Sequence, residues 1–281
     1  MPDIRTERMR VEEMALAVDW AAAEGWNPGL DDAAAFHAAD LDGHFLTRLD
    51  GRPVACISAV KYGPDYAFVG FYICLPEFRG RGLGMAIWNT ALASIGDRAL
   101  GLDGVVDQQA NYAKSGFVLK HRTIRYGGPA PAASSTDSRL RPIDGSLLPA
   151  VRDYDRAFSP APRDRYLSAW LGPCPTRRGL ALVEDGTVTG YGVIRRCRSG
   201  CKIGPLFAED AAGADILFRA LAADAAGGEI FLDLPEPNGE AIDLAEGYGL
   251  APVFEPARMY RGIDPDISIP RTFGITTFEL G

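Results

Sequence analysis

The chain has 281 residues, enough for two ordinary domains with a core each, and its 47% apolar and 23% charged residues are the balance of a globular protein. A formal net charge of −8 argues against a nucleic-acid partner, which is held mainly through phosphate neutralisation. No apolar run approaches the ~20 residues of a membrane helix. Cys56, Cys74, Cys174, Cys197 and Cys201 are odd in number and scattered, the N-terminus has no secretory pattern, and His37, His44 and His121 fall in no metal-ligand spacing. A cytoplasmic protein without disulfides, metal or membrane is the expectation.

Taken in order, Val11, Met14, Ala15, Val18 and Ala22 mark one face of a helix that Gly25 closes. Trp26, Asn27, Pro28 and Gly29 make a turn, and Asp31 or Asp32 caps a second short helix to about Ala39. Residues 44–49 and 53–61 read as a strand hairpin about Asp50-Gly51, with 67–75 as a third strand. Met85, Trp88, Leu92 and Ile95 then recur at helical spacing, with Gly96 as the stop. A strand ending near Leu102, a short helix over 108–115 and a strand from Gly116 to about Tyr126 complete the first half. Residues 127–138, rich in Gly, Pro, Ala and Ser, read as a linker.

The third strand leads through Pro76 into Arg79-Gly80-Arg81-Gly82-Leu83-Gly84-Met85 at the start of the main helix. Glycines there let the backbone aim the helix's first unpartnered amides at one anion and let that anion come close. The loop lacks the Gly-Lys-Ser/Thr of a Walker motif, and its glycines run at first, third and fifth places rather than the first, third and sixth of a dinucleotide fingerprint. The pattern Arg79-x-x-Gly82-x-Gly84 resembles the acyl-CoA pyrophosphate loop of the GCN5-related N-acetyltransferase (GNAT) family. That resemblance covers about residues 9–126. It implies an α+β fold, a mixed and mostly antiparallel sheet flanked by helices. It also implies acetyl-CoA as co-substrate on Arg79, Gly80, Arg81, Gly82, Leu83, Gly84 and Met85.

The second half repeats the first in weaker form. Strands at 181–183 and 188–196 flank Asp185-Gly186, 202–207 is another strand, and Ile216, Leu217, Ala220 and Leu221 mark a helix. A strand at 229–234 precedes a helix containing Asn238, Ala241 and Leu244; Gly249 opens a last strand, in which Arg258-Met259-Tyr260 echoes Arg125-Tyr126. The arrangement resembles tandem GNAT proteins with a degenerate C-terminal copy. It implies a catalytic domain over 1–127, a linker over 128–138 and a degenerate domain over 139–281. In the second copy Glu209 and Asp210 stand where a pyrophosphate would arrive, and like charge repels it, so no CoA is expected there.

The resemblance further implies that the strand before the loop splays from its neighbour, freeing an amide near Ile73 or Cys74 to hold the thioester oxygen as charge develops. Tyr112 would give a proton to the departing thiolate. The first copy keeps the family's Tyr112, Gly116 and Phe117 but has Val105 and Gln108 for its Asn and Ala; the second keeps Asn238 and Ala241 but has Ala245 for the Tyr. Asp103 and Glu24 are the candidate bases, with water serving in some members, while Trp26 and Asn27 join Glu24 in the region where the family contacts acceptors. No histidine is placed to activate Cys74 as a nucleophile. The implied activity is acetyl transfer from acetyl-CoA to the primary amine of a small molecule or a protein, with a homodimer left open. A hydroxyl acceptor is a rival activity, and a non-catalytic CoA-binding or assembly module is the alternative of another class.

Overall fold

A computed structural model describes residues 2–132 and 134–281. The first half runs β1 (Ile4–Arg8), α1 (Met14–Ala23), α2 (Asp32–Ala39), β2 (His44–Leu49), β3 (Arg52–Tyr62), β4 (Tyr66–Cys74), α3 (Leu83–Ile95), β5 (Ala99–Val105), α4 (Gln109–Lys114) and β6 (Val118–Pro129). The second runs β7 (Leu140–Pro142), α5 (Leu148–Asp155), α6 (Asp164–Trp170), β8 (Arg177–Glu184), β9 (Thr187–Arg196), β10 (Cys201–Ala208) and α7 (Ala211–Ala222). It ends with β11 (Glu229–Pro235), α8 (Gly239–Gly247), β12 (Ala251–Phe254), β13 (Pro256–Arg261) and β14 (Thr272–Gly274). The architecture is the expected α+β one, with helices on a mixed sheet and the plan repeated.

Local chemistry explains most of these elements. The β2–β3 turn is Asp50-Gly51 with φ of 49° and 81°, and the β8–β9 turn is Asp185-Gly186 with 47° and 81°. Both are two-residue connections of the kind that matches strand twist, so the copies share a hairpin as well as an element order. Strand β3 is covered on both faces, which is why it is apolar almost throughout. Its Ala55, Ile57 and Ala59 pack with Ile87, Trp88 and Ala91 of α3, whereas Cys56 and Val60 join Met14 and Phe36 of α1 and α2.

The strand order is β1-β2-β3-β4-β5-β13-β6-β11-β10-β9-β8-β7. The two halves therefore exchange strands. Strand β13, from the second half, lies antiparallel to β5 with Arg258 opposite Asp103 and Met259 opposite Leu102. On its other side it meets only the start of β6, at Val118, Leu119, His121 and Arg122. Beyond Arg122, β6 crosses over and pairs with β11 from Thr123 to Pro129. Each half thus completes its sheet with a strand of the other. The hydrophobic cluster around Phe36, Phe71, Tyr166 and Trp170 likewise draws on both halves, with Phe36 stacked on Trp170 at 6.0 Å.

Charges are buried at this junction. Asp32, 1% exposed, lies 3.3 Å from Arg177 and 3.2 Å from Arg195, and Arg125 holds Asp233 through two bonds of 2.6 and 2.9 Å. The cap expected from Asp31 or Asp32 on α2 is not made. Asp32 instead accepts from the Gly29 amide at 2.8 Å and faces the arginines of the second half. Other differences concern boundaries. The strand read to Tyr126 continues to Pro129 inside the expected linker, and the last strand is divided into β12 and β13. Strand β1 and helices α5 and α6 were not anticipated from sequence; β1 is exposed along its length except at Thr6, so it shows no apolar alternation.

Candidate active site

Strands β4 and β5 run parallel from Tyr66 opposite Ala99 to Val69 opposite Leu102, and there their pairing stops. Strand β4 continues to Cys74 on β3 alone, with Ile73 opposite Cys56 and Cys74 opposite Ala55. The separation begins at a β-bulge, where Phe71 adopts φ of 47° and the β3 register shifts between Cys56 and Ser58. Chain from the second half keeps the strands apart. A Cβ on Gly70 would lie 2.0 Å from the carbonyl oxygen of Glu279, so only glycine admits the C-terminal segment at this point. That segment is tied down by Tyr62, whose hydroxyl donates to the Leu280 carbonyl at 3.0 Å, and by Arg163, which donates to the Gly281 carbonyl at 2.7 Å.

Past β4, Pro76–Phe78 forms one 3-10 turn, and buried Phe78 and Leu83 pack on Val54 to fix the loop's ends. Gly80 and Gly82 take φ of 75° and 80°, and Gly82 caps α3 in the left-handed region. No side chain caps this helix and no acid sits in its first turn. The first intrahelical bond is Ala86 N–H to the Gly82 carbonyl, so the amides of Leu83, Gly84 and Met85 have no partner within the helix. These amides, at the positive end of a helix, fit a diphosphate. Gly82→Val would force a β-branched residue into the left-handed region and turn the amides away. CoA affinity is expected to fall roughly 10²-fold, the loss of one or two hydrogen bonds to a charged group. Calorimetric titration checks it.

A cavity of about 630 Å³ joins the loop to the β4–β5 split. It brings together most of the residues singled out in the sequence: Ile73, Cys74, Arg79, Gly80, Gly82, Gly84 and Met85 on the loop side, Asp103 and Tyr112 on the far wall, and Glu24 and Trp26 at the end of α1. Three of them stand elsewhere. Arg81 lies over the Phe78 ring at 5.3 Å, the Leu83 side chain is in the core, and Asn27 exchanges two hydrogen bonds, of 2.8 and 3.2 Å, with the Ser199 backbone. Asn27 is thus a clasp on the β9–β10 hairpin rather than an acceptor contact. The sequence reading missed Phe254, Pro256 and Phe278, which wall the cavity from the second half. Nothing local could have shown them, because a side-chain pattern does not say which part of the other half a segment packs on.

Tyr112 projects from α4 with its ring between Trp88 at 5.6 Å and Phe117 at 6.3 Å, over Gly104, where a Cβ would lie 2.9 Å from it. Burial raises its pKa above the ordinary phenol value, so the hydroxyl holds its proton. Burial also pushes the Cys74 thiol up, against the opposing pull of Arg79, and no histidine lines the cavity among the described residues. Cys74 is therefore no ready thiolate. Asp103 is corrected from its expected role as base. Its side chain is fully buried and both oxygens accept from Arg258, each at 2.8 Å, which makes it the anchor of β13.

The corresponding cleft of the second half is filled. Strands β10 and β11 pair as far as Ile203 opposite Leu232, and β14 then enters against Leu206 and Phe207. The Asp210 carboxylate accepts from the Gly213 amide at 2.8 Å, occupying the helix end that a phosphate would need. Glu209 pairs with Arg271. Asn238, the family asparagine of this copy, caps α8 and donates to the carbonyls of Ile269, Pro270 and Thr272. Among the described residues no helix is long and apolar enough to cross a membrane, and no group of three or more His, Cys, Asp or Glu could hold a metal ion.

Known proteins share this fold. The sequence pattern of the acetyltransferase (GNAT) family matches residues 8–117, and that of an acetyltransferase (GNAT) domain matches 151–274. Holothin acyltransferase of Pseudoalteromonas sp. (strain SANK 73390) is 32% identical over 272 residues, 96% of this chain and 92% of that protein. Among solved structures, one from Pyrococcus horikoshii provisionally assigned as an acetyltransferase superposes with a TM-score of 0.83 at 20% identity, covering 99% of this chain and 96% of the other. A tandem GNAT protein from the clavulanic acid biosynthesis pathway gives 0.62 at 15% identity, covering 92% and 98%.

Proposed function

The chain belongs to the GNAT family of acyltransferases, as a tandem member, and on that premise we propose that it moves an acetyl group from acetyl-CoA to a primary amine, in its first half only. The observation that carries this reading is the contrast between the copies. One has an open split, uncapped amides and a tyrosine around a single cavity; the other has its split filled by β14 and its helix end closed by Asp210. The diphosphate of the co-substrate rests on the amides of the loop at 80–85 and on Arg79, directing the thioester into the split. The amine, made neutral by losing its ammonium proton to solvent, attacks the thioester carbonyl, forming a C–N bond while negative charge gathers on the oxygen. Main-chain N–H beside Ile73 or Cys74, on the part of β4 that has left β5, stabilises that charge. Collapse breaks the C–S bond, Tyr112 gives its proton to the sulfur, and the proton lost by the amine nitrogen restores Tyr112 by way of solvent.

The acceptor enters beside Trp26, Phe254 and Phe278, which suit an apolar body. Among the described residues lining the cavity, Arg79 is the sole cation, so a carboxylate on the acceptor finds no counter-ion once the diphosphate is in place. An amine without an acid group is the fitting class. The similarity to holothin acyltransferase supports acyl transfer. Free-thiol release from acetyl-CoA against a broad amine panel tests the proposal. Turnover with apolar amines and little with amino acids is the expected outcome. Binding of acetyl-CoA with no thiol released by any amine would favour the non-catalytic module.

A further inference from the structure

Glu24 ends α1, where a carboxylate meets the negative pole of the helix dipole, an unfavourable place unless a cation compensates. Arg79 is that cation. Its Nη2 donates to Glu24 Oε1 at 2.5 Å and its Nε to the Cys74 carbonyl at 2.8 Å. The two side chains are 52% and 33% exposed, and both line the reaction cavity, one on the phosphate loop and the other on the acceptor side. A residue placed to meet a diphosphate is therefore engaged by a carboxylate placed to meet an amine.

Resting on the activity proposed above, we infer that Glu24 and Arg79 form an exchangeable pair: the diphosphate draws the guanidinium away, and the freed Glu24 carboxylate becomes the counter-ion for the acceptor's ammonium group. An exposed pair of this kind is weak, whereas a diphosphate offers Arg79 more charge and also the loop amides, so the exchange is downhill. Arg79 keeps its bond to the Cys74 carbonyl as a pivot. Once released, Glu24 has no other cation on the cavity wall among the described residues; of the other carboxylates there, Asp103 is held by Arg258 through both oxygens, and Asp107 stands on the turn between β5 and α4 rather than beside the loop. Glu24 is thus a specificity residue that is masked until the co-substrate is bound. By linkage, an amine that pairs with Glu24 must also strengthen CoA binding.

CoA itself is the probe, in calorimetric titrations of four proteins: the wild type, Glu24→Gln, Arg79→Gln and the double variant. Removing the competing carboxylate is expected to tighten CoA binding about two- to fivefold, the range an exposed ion pair supports. The same change in the Arg79→Gln background is expected to have no effect. A Glu24→Gln protein that binds CoA no better than wild type, or that tightens equally without Arg79, would overturn the exchange. A wild type that does not bind CoA at all would instead remove the activity it rests on, so the two failures are distinct.

Discussion

Tyr112→Phe is expected to lower kcat by about 10² to 10⁴, the range for loss of a positioned general acid, while CoA affinity changes less than about twofold. The substitution is narrow. The ring contacts with Trp88, Phe117 and Gly104 are those of a phenyl group and survive in phenylalanine, so α4 keeps its place. What goes is one O–H whose proton burial has made hard to remove. Because that pKa lies above the ordinary 10.0, the acid form is present throughout the neutral range, and the alkaline fall in kcat should not come from this group below about pH 10. Steady-state thiol release and calorimetry together read the effect. Unchanged turnover would mean that the thiolate departs without this proton, and Tyr112 would then be only a packing residue between α3 and β6.

How far the sequence led depends on the range over which each feature is encoded. The conformation of the glycine loop before α3 was legible because its requirements are local: Gly80 and Gly82 take positive φ, and α3 starts at the next residue with nothing to cap it. The paired Asp-Gly turns were legible for the same reason. The degenerate loop of the second half was also readable, since Asp210 and Glu209 announce their charge, although the structure adds that Asp210 closes the helix end itself. Asp103 shows the limit. A carboxylate at the end of β5 reads as exposed and available, and only the arrival of β13 supplies Arg258 opposite it. Ala257 and Met259 mark β13 as a strand, but a side-chain pattern never names the strand's neighbour. Phe254 reaches the cavity from β12, which lies on β6, and Phe278 from the C-terminal segment, and Gly70 appears as an ordinary strand residue until Glu279 is seen against it.

Arg258→Met is expected to destabilise the whole chain by about 3–5 kcal/mol, as loss of one member of a buried pair generally does. Asp103 and Arg258 are 0% and 7% exposed at their side chains, so neither solvent nor salt screens them, and the guanidinium also lies over the Phe68 ring at 5.2 Å. Methionine fills the volume but leaves Asp103 charged, buried and unpartnered. The cost falls where β13 enters the first sheet, so unfolding of both halves should shift together in one chemical-denaturation transition. Adding Asp103→Leu to Arg258→Met removes the stranded charge, and most of the loss should return, because apolar replacement of both partners is often near neutral. A pair that matters only as a catalytic base and its modulator would give a different pattern: stability nearly unchanged in Arg258→Met, turnover impaired, and no recovery in the double variant. The denaturation midpoints of the two variants therefore decide whether the second half is tied to the active site by this ion pair or merely stands next to it.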